Sequence, residues 1–90
     1  MWEIHEKKSL IRHIRKIPKH ILKNYEMWKR IVELQGPTGL RHIKGFHDEA
    51  LKGEWQGYRS SRLNQQWRII YAVKEEVCEV YVIDINPHRY

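Results

Sequence analysis

The chain has 90 residues, of which 41% are hydrophobic and 11% aromatic, which is enough for one compact core and too apolar for a disordered chain. Seventeen Lys and Arg against eleven Asp and Glu give a net charge of +6, which favours a polyanionic partner such as nucleic acid. A single cysteine excludes an internal disulfide, and no apolar run approaches the roughly 18 residues that a membrane-spanning helix needs. We therefore expect residues 1–90 to form a single cytoplasmic domain with no membrane association.

The first third of the chain predicts a short strand followed by two helices. Residues 2–6 alternate in the manner of a strand. Residues 9–17, with Ser9 as N-cap, carry apolar side chains at three- and four-residue spacing, which indicates an amphipathic helix. Pro18 cannot continue that helix but suits the first turn of a second one, whose apolar stripe lasts until Gly36. Together these segments predict a helical hairpin.

The second half of the chain predicts a connecting segment and three strands. Residues 37–53 lack a sustained period and form the connection, with a short strand at 40–43. Residues 54–63, 66–73 and 77–85 are rich in Trp, Tyr, Ile and Val and are separated by short polar pieces, as antiparallel hairpins require. The predicted fold is α+β, in the order β-α-α-β-β-β, with the helical hairpin packed on one face of a small, mostly antiparallel sheet.

The middle strand of these three predicts which face of the sheet carries charge. Its bulkier side chains alternate onto one face, namely Trp67, Ile69, Tyr71 and Val73. Arg68 belongs to the other face, and a guanidinium group there needs water, a carboxylate or a ligand phosphate. If the hairpin covers the first face, the second is left open and presents Arg68 to solvent.

Cations and aromatic side chains are concentrated within and beside the last three strands. The cations are Arg59, Arg62, Arg68, His88 and Arg89, and the aromatic residues among them are Trp55, Tyr58 and Tyr90. Each of these residues alone is more often an ordinary surface charge or a core side chain. Together they are typical of a surface that binds single-stranded RNA, because bases stack on aromatic rings while phosphates pair with cations.

Several classes of enzyme are excluded by the absence of their motifs. The chain has no HExxH and no CxxC, its histidines lack metal-ligand spacing, and it has neither a Gly-rich phosphate loop nor a nucleophile elbow. We therefore expect no metal and no cofactor. Cleavage of RNA by its own 2′-hydroxyl needs only a base, a cation and an acid. Arg68, His88 and one carboxylate could fill those roles.

Two segments, GEWQGYRSSRLNQQWRIIYAV and VYVIDINPHRY, resemble the RelE/ParE toxin superfamily. Within it they are most similar to the ribosome-dependent messenger-RNA endonucleases of the RelE, YoeB, YafQ and HigB kind. The resemblance implies that Arg68, in WRIIY, stabilises the phosphate. It also implies that His88 is the catalytic basic residue after the last strand and that Tyr90 orients the substrate.

The resemblance also implies a general base and further RNA contacts. Glu49, in EALKG, matches the glutamate that YoeB-like toxins keep as candidate base, and His47 is the alternative. Arg59 and Arg62 match basic residues that hold RNA, and we expect His47 and Arg89, which lies beside His88, to contact RNA as well.

The implied activity is cleavage of messenger RNA in the A site of the 70S ribosome, which inhibits translation, and the implied protein partner is a cognate antitoxin. Two alternatives stay open at this point. One is a ParE-like inhibitor of DNA gyrase, and the other is an RNA-binding module without catalytic activity.

Overall fold

A five-stranded sheet lies at the centre of the computed structural model, which describes residues 1–87. In chain order the elements are β1 (Glu3–Glu6), α1 (Lys8–His13), α2 (Lys19–Gln35), β2 (Glu49–Ala50), β3 (Arg59–Arg62), β4 (Arg68–Lys74) and β5 (Glu79–Asn86). The strand order is β1-β5-β4-β3-β2, and among these strands β1 and β5 pair in parallel while the other neighbours are antiparallel. The predicted α+β fold with a mostly antiparallel sheet is confirmed.

The long helix α2 supplies the largest part of the core opposite the sheet. Its apolar residues recur every three or four positions and are fully buried: Ile21, Tyr25, Trp28 and Val32. The helix begins directly after Pro18 and ends at Gly36, whose N–H donates to the Val32 carbonyl at 2.8 Å. Both boundaries agree with the sequence prediction. No helix within residues 1–87 combines the length and the apolar character needed to cross a bilayer.

The first helix is shorter than predicted and starts earlier. It begins at Lys8, with Lys7 as a cap that makes no side-chain hydrogen bond, so the prediction of Ser9 as N-cap is wrong. After His13 the chain continues as a single 3₁₀ turn over Ile14–Lys16. Ile17 is then extended, as the residue before a proline favours, and its buried side chain anchors this end of the hairpin.

The segment between α2 and β3 differs from the prediction in three ways. The strand expected at residues 40–43 is wrong, because Pro37–His42 forms a 3₁₀ helix. The strand expected from residue 54 begins only at residue 59, since Gly53 and Gly57 adopt positive φ angles that interrupt an extended chain. The two-residue strand β2 was not predicted.

The sheet has two unlike faces. The helix face packs against α2 and carries Ile69 and Tyr71 of β4, as expected, and Trp28 meets the Tyr71 ring edge-on at a centroid distance of 5.1 Å. The opposite side, here called the outer face, was expected to be open to solvent. That expectation is wrong for the middle of the outer face, because Ile70 of β4 is fully buried there.

Candidate functional site

Strand register brings two predicted site residues, Arg62 and Arg68, together on the outer face. They are direct cross-strand partners in the β3–β4 pair, and Asn86 of β5 is the partner of Arg68 on its other side. Directly opposed residues present their side chains on the same face, and like charges in that arrangement repel. Both arginines are half-buried. An anion such as a phosphate, bound between them, would offset that repulsion.

Glu49 lies on the same face as these arginines. It pairs with Ser60 across the β2–β3 ladder, and Ser60 shares its face with Arg62 because the two are separated by one residue. The Glu49 side chain is exposed. His47 is also exposed and has a left-handed backbone with φ 45° after the 3₁₀ turn Lys44–Phe46. Glu49 and His47 both remain candidates for the base.

Arg59 lies on the helix face, away from the predicted cationic surface. It is the direct partner of Tyr71, whose side chain belongs to the core. Its Nε and Nη2 donate to Asp48 Oδ1 at 3.0 and 2.7 Å. The expectation that Arg59 lies on one cationic face with Arg62 and Arg68 is therefore wrong. Arg59 and Arg62 are three residues apart in β3, and an odd spacing places two side chains on opposite faces of a strand. A contact of Arg59 with RNA stays a prediction.

Asp48 is the centre of a buried hydrogen-bond network that the sequence prediction missed. Its side chain is fully buried and accepts hydrogen bonds from Arg59, from the Tyr71 hydroxyl and from Ser61 Oγ at 2.6 Å. Ser61 Oγ in turn accepts a hydrogen bond from Trp28 Nε1 at 3.0 Å. The network connects α2, β3 and β4 to the segment before β2, and it fixes the residue that immediately precedes Glu49.

The pKa shifts in this network keep its groups in definite protonation states. Burial by itself lowers the pKa of Arg59, but the hydrogen bond and negative charge of Asp48 outweigh it and raise that pKa above its ordinary value. Burial, followed by the charge of Asp48, raises the pKa of the Tyr71 hydroxyl. At neutral pH Arg59 is therefore charged, and Tyr71 is a neutral donor.

Three predicted site residues, His88, Arg89 and Tyr90, lie outside the residues that the structure describes. Their roles stay predictions. The described part of β5 ends at Asn86, beside Arg68, and Pro87 follows it as an exposed residue. The last described residues of the chain are therefore at the end of the outer face that carries Arg68.

One group of side chains within residues 1–87 could hold a metal ion. Glu3, His5 and Glu79 each offer a ligand atom, and these atoms lie within 4.8 Å of one another. His5 Nε2 is 3.3 Å from Glu79 Oε2, and β1 and β5 bring the two residues together although they are far apart in sequence. The same arrangement is that of ordinary contacts between a histidine and two carboxylates, so the geometry does not distinguish a metal site from side-chain pairing. The cluster belongs to β1 and β5, away from Arg62 and Glu49.

Comparison with known proteins agrees with the fold predicted from the residues. No family model matches the chain, and no curated protein matches it. Several solved structures superpose over nearly the whole chain, among them the following three.

The first is the archaeal RelE-RelB complex from Pyrococcus horikoshii OT3, with a TM-score of 0.75 and 19% identity over 96% of this chain and 93% of that one. YafQ from E. coli strain BL21(DE3) gives a TM-score of 0.78 and 12% identity, over 98% and 94%. The YoeB-YefM complex from Staphylococcus aureus gives 0.73 and 17%, over 99% of both chains. The resemblance predicted from the residues is confirmed for the architecture, and the chain has the fold of the RelE, YafQ and YoeB toxins.

Proposed function

We propose that the chain is the toxin of a toxin–antitoxin system and that it cleaves messenger RNA on the ribosome. The observation that carries the proposal is the placement of Glu49, Arg62 and Arg68 on one face of the sheet. A carboxylate and two guanidinium groups on a common surface supply a base and a phosphate site. The RelE-like fold supports the same assignment.

The reaction uses the 2′-hydroxyl of the RNA as nucleophile. Glu49, or His47 in its place, accepts the hydroxyl proton, and the 2′-oxygen attacks the neighbouring phosphorus. Arg68 and Arg62 neutralise the charge that grows on the phosphoryl oxygens. His88 donates a proton to the departing 5′-oxygen, so the products carry a 2′,3′-cyclic phosphate and a 5′-hydroxyl. An acid or base of this kind contributes roughly 10²–10⁴-fold to the rate.

The remaining predicted site residues bind or position the substrate, and no step requires a metal ion. Tyr90 orients the RNA, and Arg89 contributes a further cation. Arg59 is bound to the buried Asp48, so it acts by holding the chain before Glu49 in place. A direct contact of Arg59 with RNA stays a separate prediction.

The ribosome and an antitoxin are the proposed partners. Effective positioning of reactants is worth about 7–11 kcal/mol in favourable cases, and the ribosomal A site supplies it to an enzyme whose reacting groups lie on a sheet face. The RelE-RelB and YoeB-YefM structures are complexes of toxins with antitoxins. By analogy, the partner of this chain covers or distorts the outer face.

Mapping of messenger-RNA 5′ ends in a reconstituted translation system tests the proposal. Wild type should cut within codons on translating ribosomes, and Arg68→Ala and His88→Ala should each reduce the rate at least about 100-fold. Arg30→Ala, which removes an exposed charge from α2, should cut like wild type.

Four results would contradict the proposal. Intact messenger RNA with the wild type is one, and full activity in Arg68→Ala and His88→Ala is another. Gyrase-dependent DNA breaks on expression would instead identify a ParE-like inhibitor. RNA binding without any cleavage product would identify a non-catalytic module.

A further inference from the structure

A cleft of about 460 Å³ lies at the end of β5, within the size range of ligand sites in proteins. The segment from Lys7 to Lys16 contributes one part of its lining, and Trp55, Trp67 and Asn86 contribute other parts. The catalytic scheme above uses none of these residues.

Charge complementarity indicates an anionic occupant. Lys7, His13 and Lys16 all line the cleft. They belong to residues 7–16, a segment with five Lys and Arg and no Asp or Glu. Asp84 is an acidic residue of the lining, but it accepts hydrogen bonds from the Ile85 N–H at 2.9 Å and from Asn86 Nδ2 at 2.6 Å. Both of its oxygens are thus engaged within β5, and two lysines against this one carboxylate leave the lining with a net positive charge.

The uncharged part of the lining suits a flat aromatic ring. Trp55 and Trp67 are half-buried and border the cleft, and Ile17 and Ile85 add buried aliphatic surface. Trp67 packs against the main core, so its indole is held on one side and borders the cleft on another. Aromatic side chains next to cations bind the bases and phosphates of single-stranded RNA.

The cleft is adjacent to the arginine pair. Trp67 precedes Arg68 in sequence but belongs to the helix face, so the link between the two sites is Asn86, which lines the cleft and is the cross-strand partner of Arg68. A nucleotide in the cleft would therefore be next to a phosphate bound at Arg68.

We propose that this cleft binds one nucleotide of the RNA, with the base against Trp67 and the phosphate at Lys7 and Lys16. The site holds the nucleotide adjacent to the scissile phosphate. This inference rests on the proposed nuclease function for its biological role, but the binding of a nucleoside monophosphate is measurable without any cleavage.

Binding is tested by titrating the full chain with 5′-AMP and, in separate experiments, with adenosine and inorganic phosphate. The NMR signals of the tryptophan indole N–H groups report on the site, because Trp55 and Trp67 border the cleft while the fully buried Trp28 donates to Ser61. We expect saturable shifts of the Trp55 and Trp67 signals with 5′-AMP, a constant Trp28 signal, and at least tenfold weaker binding of adenosine and of phosphate.

A matched pair of charge reversals locates the phosphate contact. Lys16→Glu should weaken 5′-AMP binding at least tenfold. Lys23→Glu reverses an exposed charge of α2 outside the cleft, and it should change the affinity less than twofold. Circular dichroism of both variants establishes that they fold.

Specific results would overturn the inference. These are the absence of indole shifts, phosphate alone binding as tightly as 5′-AMP, or equal weakening by the two reversals. The outcome is separable from that of the nuclease proposal. If the chain binds 5′-AMP but never cuts messenger RNA, the nucleotide site is supported and the nuclease proposal is refuted. If the chain cuts messenger RNA but does not bind 5′-AMP, the nuclease proposal is supported and the nucleotide site is refuted.

Discussion

Asp48 is a buried carboxylate whose charge is balanced by Arg59. Replacing it with Asn keeps the shape but leaves Arg59, only 21% exposed, without a counter-ion. Removing one partner of a buried ion pair is strongly destabilising, so we expect Asp48→Asn to lower the free energy of unfolding by about 3 kcal/mol. Urea denaturation at neutral pH measures the change.

The control for this variant is Glu54→Gln, which removes one negative charge from an exposed residue and should change stability by less than about 0.5 kcal/mol. In the double variant Asp48→Asn with Arg59→Gln, the unpaired charge is gone. The double variant should therefore lose less stability than the sum of the two single changes. Strict additivity would show that the two side chains are not energetically coupled.

The two core tyrosines, Tyr25 and Tyr71, predict a loss of stability at alkaline pH. Burial raises the pKa of both hydroxyls, and the acidic partners Glu6 and Asp48 raise them further. In the unfolded chain a tyrosine ionises near pH ~10, so the folded state then binds more protons than the unfolded state. The stabilisation is fully present below pH ~10 and decreases as the pH rises above that value.

Urea midpoints measured between pH 8 and pH 11 check this dependence. The double variant Tyr25→Phe with Tyr71→Phe should lose less stability over that range than wild type, because it lacks the groups that ionise on unfolding. Equal losses in the two proteins would contradict the assignment of the alkaline transition to these tyrosines.

At the scale of elements, the end of α2 depends on Gly36. Its φ of 76° and ψ of 176° lie in a region that is essentially restricted to glycine. A Cβ there would also lie 2.7 Å from Trp2 Nε1. Gly36→Ala should therefore cost about 1–3 kcal/mol of stability.

Gly45→Ala provides the matched comparison, because Gly45 has no neighbouring atom within 4 Å of the Cβ position and is not among the positive-φ residues. Thermal unfolding of the two variants measures the difference. A melting temperature for Gly36→Ala equal to that of Gly45→Ala would contradict the role of this glycine in ending α2 and packing against Trp2.

The elements that were predicted correctly have recognisable patterns in their own sequences. The helix α2 has an apolar stripe bounded by a proline and a glycine, and β4 and β5 are runs of β-branched and aromatic residues. By contrast, β2 consists of two exposed residues that are extended because they pair with β3, and such pairing has no local pattern. The 3₁₀ helix at Pro37–His42 was missed because the period of its few turns is too short to recognise.

The candidate site was predictable to a similar extent. Arg68 could be predicted because it is a charge within an apolar strand. The opposite faces of Arg59 and Arg62 also follow from the sequence, because the two residues are three positions apart in one strand. Which of them shares the face of Arg68 depends on the register of β3 against β4, and that register has no local pattern. Asp48 could not be predicted either, because Arg59, Ser61 and Tyr71 approach it from two strands that are distant in sequence.

The charge of the whole molecule predicts how the proposed association with ribosomes responds to salt. A protein of net charge +6 releases counter-ions when it neutralises RNA phosphates. The affinity should therefore decrease linearly with salt on a double-logarithmic plot, and co-sedimentation with ribosomes between about 50 and 200 mM KCl measures the slope. Lys16→Glu should make that slope shallower. An affinity independent of salt would contradict an electrostatic interface.

The position of β5 between β1 and β4 has a consequence for biosynthesis. Because β5 follows the other four strands in the chain, a nascent polypeptide that lacks it has an unpaired first strand and an incomplete sheet. The face that holds Arg68 and Asn86 cannot assemble before that stage. The nascent chain therefore cannot present the completed face of Arg68 and Asn86 until the codons of β5 have been translated.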